Sequence, residues 1–184
     1  MQIFTEEKNH ALCVQGVSAA ACRVLYPRVE GKERISAFYE KTAENLILFF
    51  REKAAFYAAD FAALERRERR NFAPLRMNMF FSVTFANEKI ISFSRENVLC
   101  EGKKLLAYRK SGEIWSTESE LLLPAREFFP HKLWKTAERN EFYFDGEAVI
   151  VENLFPERAY GEGRRTRLSD YIKETRVKNS PRTT

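Results

Sequence analysis

Phe142-Tyr143-Phe144 and Ala148-Val149-Ile150-Val151 are two short apolar runs separated by Asp145-Gly146-Glu147. No other feature constrains the fold so strongly. Asp and Gly both tolerate the positive φ that a tight hairpin turn requires, so the segment reads as strand, turn, strand. Gly161 and Gly163 then mark a loop, and Leu168-Ser169-Asp170-Tyr171-Ile172 a short closing helix. A chain built from such hairpins needs a helix or a second sheet to cover one sheet face.

The cover is written between Glu33 and about Arg70. Ile35, Phe38, Tyr39, Leu46, Phe49, Phe50, Phe56, Tyr57, Phe61 and Leu64 recur largely at three- and four-residue steps among strong helix formers such as Ala54, Ala55, Ala58 and Ala59. This predicts one long helix with its aromatic stripe in the core, with Ser36 near its start. Asn71-Phe72-Ala73-Pro74 is expected to stop it, because the residue before proline avoids the α region.

Strands are expected on both sides of this helix. Ala11–Val14 and Cys22–Tyr26 flank Gly16-Val17-Ser18, and Pro27, which cannot donate to a ladder, is read as the end of the second run. Phe81, Val83 and Phe85 alternate with Ser82, Thr84 and Ala86, and Asn87-Glu88-Lys89 turns the chain into Ile90–Ser94. Leu105–Tyr108 and Ile114–Thr117 around Lys110-Ser111-Gly112-Glu113 read as a further hairpin, and Glu127–Arg139 as a short helix interrupted by Pro130. The expected architecture is α+β. A long N-terminal helix packs on one face of an antiparallel sheet of roughly five to seven hairpin-built strands, the last hairpin extending that sheet. Residues 1–184 read as a single domain, with 174–184 a flexible tail.

Composition narrows the function classes. The chain has 184 residues and a formal net charge of +5, which favours anionic partners only weakly. Three cysteines, Cys13, Cys22 and Cys100, lack a CxxC pair and read as reduced thiols. The first residues show no basic n-region followed by an apolar run, so a cytoplasmic setting is expected. No P-loop, GxSxG or HExxH motif occurs, and no cofactor or metal is expected. His10 and Cys13 have an HxxC spacing, yet a structural zinc usually needs four ligands. Cys100 with His131 as its base, and the carboxylate pairs Glu118/Glu120 and Asp145/Glu147, are the remaining candidates for chemistry. Each is explained more simply, by a strand-end thiol, a solvated edge and a turn.

Two basic clusters stand out. Arg66 and Arg67 lie in Glu65-Arg66-Arg67-Glu68-Arg69-Arg70, and Arg164 and Arg165 follow Tyr160. Arginines pair with phosphates and a tyrosine can stack on a base, so these five residues are the candidate ligand-binding set. Interleaved glutamates make the first cluster equally a solvated helix end.

The order of Tyr26-Pro27-Arg28-Val29-Glu30-Gly31 before a long helix, then Asn87-Glu88-Lys89-Ile90-Ile91-Ser92-Phe93, then Tyr143–Val149 and Leu168–Ile172, resembles the DUF3298/DUF4163 group over about Leu25 to Lys173. The resemblance implies a bacterial, extracytoplasmic α+β module of the kind found beside polysaccharide deacetylase domains and in a lysozyme-sensing anti-sigma factor. It thus implies a non-catalytic binding module for a cell-wall glycan or a protein. Where the family has a turn like Gly-Gly-Ala-His-Gly, this chain has Asn97–Lys103, with one glycine and no histidine. Two further readings stay open: a basic cytosolic regulator contacting nucleic acid, and a hydrolase whose carboxylates only the fold assembles. An uncovered sheet face could also hold a second copy in a homodimer.

Overall fold

A computed structural model describes residues 1–64, 68, 72–124, 127, 142–147, 149–151 and 166–167. Strands β1 (Ile3–Val14) and β2 (Val17–Val29) form a long antiparallel hairpin. Helix α1 (Glu33–Ala63) follows, then β3 (Leu75–Ala86), β4 (Ile90–Glu101) and β5 (Lys104–Ser116). These five strands pair in chain order. The short strands β6 (Phe142–Phe144), β7 (Val149–Val151) and β8 (Thr166–Arg167) make a separate three-stranded sheet. The α+β class and the single long helix follow the sequence reading.

Several details depart from it. The main sheet is mixed, because Ala20–Val24 pairs in parallel with Leu75–Met79. The reason is connectivity: α1 carries the chain back along the sheet, so β3 re-enters in the direction of β2, as a strand–helix–strand crossover requires. Proline does not end β2, since Pro27 lies opposite Thr5 and the strand runs to Val29. Beyond Val24 the β3 side of β2 has no pairing partner among the described residues, so a missing N–H is tolerated there. The expected turn at Lys110–Glu113 lies inside the continuous strand β5, and the chain reverses instead at Gly102, with φ +57°. The last hairpin starts the second sheet rather than extending the first. Glu118 lies in a turn rather than on a strand edge. The expected helices at Glu127–Arg139 and Leu168–Ile172 lie, apart from Glu127, outside the described residues.

The described residues group into two compact units, and β3, β4 and β5 are each divided between them. The first comprises Met1–Phe81 and Arg95–Arg109. Here α1 packs on the β1–β2 hairpin through Ile35, Tyr39, Ala43, Phe50, Ala54 and Phe61, all buried at steps of four and seven. Cys22, Val24, Met77 and Met79 supply the sheet side of the core. Burial pushes the Cys22 thiol up to about 12, which makes it an inert apolar filler. Ser36 fastens the start of the helix to β2: its hydroxyl accepts from the Val29 N–H at 3.0 Å and lies 2.9 Å from the Lys32 carbonyl oxygen.

α1 ends earlier than expected, at Ala63, with Leu64 already extended at ψ 143°. Phe72 then returns to the helix, with its ring 4.7 Å from Phe61 and 6.3 Å from Tyr57. Tyr57 donates to the Glu101 carboxylate at 2.8 Å. Burial, then this hydrogen bond, pushes the Tyr57 phenol up to about 12 from an ordinary 10. A group whose folded pKa is raised stabilises the fold fully below its unfolded value, and loses that contribution as pH rises through the folded one. The window is therefore about pH 10 to about 12. Ultraviolet difference titration of the seven tyrosines is expected to show late phenols, Tyr57 and the burial-raised Tyr26 among them, of which Tyr57→Phe removes one. An unchanged number of late phenols in Tyr57→Phe would refute the assignment.

The second unit holds Ser82–Ser94 and the described residues from Lys110 onward. Ile91, Phe93, Ile114, Trp115 and Tyr143 are its described buried core. Asn87 closes the β3–β4 turn, as its side chain accepts from the N–H groups of Lys89 and Ile90, both at 2.8 Å. At the Asp145-Gly146 turn, Gly146 has φ +100° and Asp145 accepts from the Glu147 N–H at 3.0 Å. β6 is held by a small polar ring. The Phe144 N–H donates to the buried Ser92 hydroxyl at 2.8 Å, Thr84 donates to the Phe144 carbonyl at 2.7 Å, and the two hydroxyls lie 2.9 Å apart.

Candidate functional site

α1 carries more apolar surface than its sheet can cover. Phe49 and Phe56, seven residues apart, lie within about 20° of each other around the helix, on the side away from the buried stripe. Both were expected in the core. Instead Phe56 is 73% exposed, Leu48 55% and Phe49 49%. Ala55, Ala59, Ala62 and Ala63 are exposed alongside them. Buried and exposed rings are chain neighbours at Phe49 and Phe50, so rotation of the helix about its axis decides which one enters the core. His10 of β1 records that rotation, with its ring edge-on to Phe50 at 6.3 Å.

At one end of this strip, an open cleft of about 390 Å³ lies between β1 and α1, lined by Lys8, Asn9, Glu44, Ile47 and Leu48. Its polar wall is ion-paired. The Lys8 ammonium reaches Glu44 at 3.1 Å and Glu40 at 3.3 Å, and sits 5.7 Å from the Tyr26 ring centroid. Burial lowers the Lys8 pKa, but the hydrogen bonds to Glu44 and Glu40 more than offset it, leaving the group above its ordinary value. The same contact holds the Glu44 carboxyl below its usual range. These charges are matched inside the chain and offer little to a ligand.

Carboxylates without an ion pair among the described residues lie further along, on a helix that also exposes Arg51 one turn from Leu48. Glu52 stands one helical turn from both Phe49 and Phe56, is exposed, and has no ion pair among the described residues. Asp60, one turn beyond Phe56, is exposed as well. The ammonium of Lys53 is engaged at 5.8 Å from the Phe49 ring centroid. The site is thus an exposed aromatic strip with carboxylates along it.

Arg66, Arg67, Tyr160, Arg164 and Arg165 lie outside the described residues, and α1 closes ahead of the first pair. His10 and Cys13 are both strand residues. They lie on β1 on either side of a bulge at Leu12/Cys13, with His10 opposite Cys22. Among the described residues no three His, Cys, Asp or Glu side chains gather as metal ligands. Cys100 is half-buried in β4, and its proposed partner His131 lies outside the described residues. The sequence signal that could have found the strip is the seven-residue recurrence of Phe49, Phe56 and Ala63, on a different face from Tyr39, Phe50 and Phe61.

Among the described residues, no helix is long and apolar enough to cross a membrane. No family model matches the sequence, and no curated protein matches it. Solved structures do. A member of the DUF3298 family from Bacteroides fragilis is similar at 9% identity and a TM-score of 0.56, over 82% of this chain and 82% of that one. A DUF3298 family protein from Pseudomonas aeruginosa is similar at 10% identity and a TM-score of 0.50, over 75% of this chain. The match spans 63% of the length of the Pseudomonas protein. At such identities the likeness is one of fold, and it agrees with the resemblance read from the order of elements: the α+β architecture of this chain is the one seen in DUF3298 family structures.

Proposed function

We propose that the chain is a non-catalytic binding module whose partner is a protein docked on the outer face of α1. The observation that carries this reading is the exposure of Leu48, Phe49 and Phe56 along one side of a single helix. Large apolar side chains exposed together, rather than singly, mark interaction surfaces. A protein suits this strip better than a glycan. The helical neighbours of Phe56 are Glu52, Lys53, Ala59 and Asp60, and the large apolar side chains Leu48, Phe49 and Phe56 with exposed alanines beside them match the apolar centre and polar rim of a protein interface rather than the concave cleft that encloses a small ligand.

A photocrosslinking phenylalanine analogue at position 56 tests the reading, with the exposed Thr5 on β1 as control site. In the cells that make the protein, one identified protein is expected to crosslink at 56 and not at 5, and its binding to be lost in Phe56→Glu. Equal labelling at both sites, or none at 56, would remove the reading.

A further inference from the structure

We infer that the segment α1 receives is a basic amphipathic helix, laid along Phe49, Glu52, Phe56 and Asp60. This rests on the reading of the α1 outer face as a protein-binding surface and adds the chemistry of the partner. Shape comes first. Phe49 and Phe56 form a ridge, and Ala55, Ala59 and Ala62 a low track beside it, so side chains of a second helix can interdigitate as in helix-in-groove recognition.

Charge then selects the partner. Glu52 lies within the apolar strip, without an ion pair among the described residues, and desolvating it on docking is costly unless a cation meets it. Asp60 repeats the carboxylate two turns on, while Lys53 is turned onto the Phe49 ring. A second copy of this chain fits poorly, since its own strip brings the carboxylates Glu52 and Asp60 to the contact rather than the cations they call for. The net charge of +5 repels a basic partner at long range, but that field is screened beyond about 8–10 Å, leaving the contact pairs to decide.

The test uses the full chain and two synthetic helical peptides with identical leucine positions, one carrying lysines on the flanks and the other glutamates. Fluorescence anisotropy is expected to show the lysine peptide binding about tenfold more tightly. Glu52→Lys should reverse that order, and Phe56→Ser should weaken both peptides at least about tenfold. Both positions are exposed, and melting curves followed by circular dichroism verify that the variants fold. Equal affinity for the two peptides, or an order unmoved by Glu52→Lys, overturns the basic partner. If Phe56→Ser still weakens both in that case, the binding face survives without it. Binding indifferent to Phe56→Ser, or dimerisation of the chain through Phe56 in sedimentation experiments, overturns the inference by placing the peptide elsewhere or a second copy on the strip.

Discussion

Phe50→Ala is expected to destabilise the first unit by about 3–5 kcal/mol, while Phe56→Ala, six residues along the same helix, changes stability by no more than about 0.5 kcal/mol. Phe50 is fully buried, with His10 edge-on to its ring and Ala43 and Ala54, too small to fill a void, on the same stripe. Truncating it forfeits the transfer of a whole ring from water and leaves a cavity that alanine neighbours cannot collapse into. Phe56 is 73% exposed, so its ring has little burial to lose. Urea unfolding followed at the helical circular dichroism signal measures both variants. With slopes of about 1–3 kcal/mol per M, the Phe50→Ala midpoint should fall by more than about 1 M and the Phe56→Ala midpoint should barely move. The reverse order would mean that α1 is rotated about its axis and that the apolar strip proposed as the binding face is core.

That comparison marks how far the sequence could be read. Periodicity makes a helix from Glu33 legible, because the apolar recurrence is strong and breakers are absent until Asn71. It could not say which apolar side faces the sheet, because Phe49 and Phe50 are equivalent to a pattern that is apolar on two faces. Turns whose own side chains close them were legible, as at Asn87 and Asp145-Gly146. Features set by a distant segment were not. The parallel pairing of β2 with β3 depends on the length and direction of the crossover, and Pro27 is tolerated only because β3 pairs with β2 no further than Val24. The candidate site had the same fate. The arginine clusters are conspicuous in the sequence, whereas the exposed strip is made of residues whose types say core and whose placement says surface.

Gly112 shows the same logic at a single position, and Gly112→Ala is expected to cost about 1–3 kcal/mol. Lys110-Ser111-Gly112-Glu113 has the composition of a turn, yet Gly112 lies within β5. A Cβ added there would stand 2.6 Å from the Tyr143 Cβ and 2.9 Å from the Phe142 carbonyl oxygen. The obstacle includes backbone, so no side-chain rotation relieves it, and β6 would have to move away. Such a displacement would strain the hydrogen bonds that Thr84 donates to the Phe144 carbonyl and Ser92 accepts from the Phe144 N–H, and loosen the packing of Tyr143, which is 4% exposed beneath the Lys110 ammonium at 5.5 Å from its ring centroid. Gly112→Val, with two further methyl groups, should release the β6–β7 hairpin altogether. Hydrogen exchange read by mass spectrometry separates this local release from general unfolding. Peptides covering Phe142–Val151 should exchange faster in Gly112→Ala and fastest in Gly112→Val, with α1 protected as in the parent chain. Unchanged protection of Phe142–Val151 in both variants would mean that β6 does not rest against Gly112, and the glycine would then have no packing role in this strand.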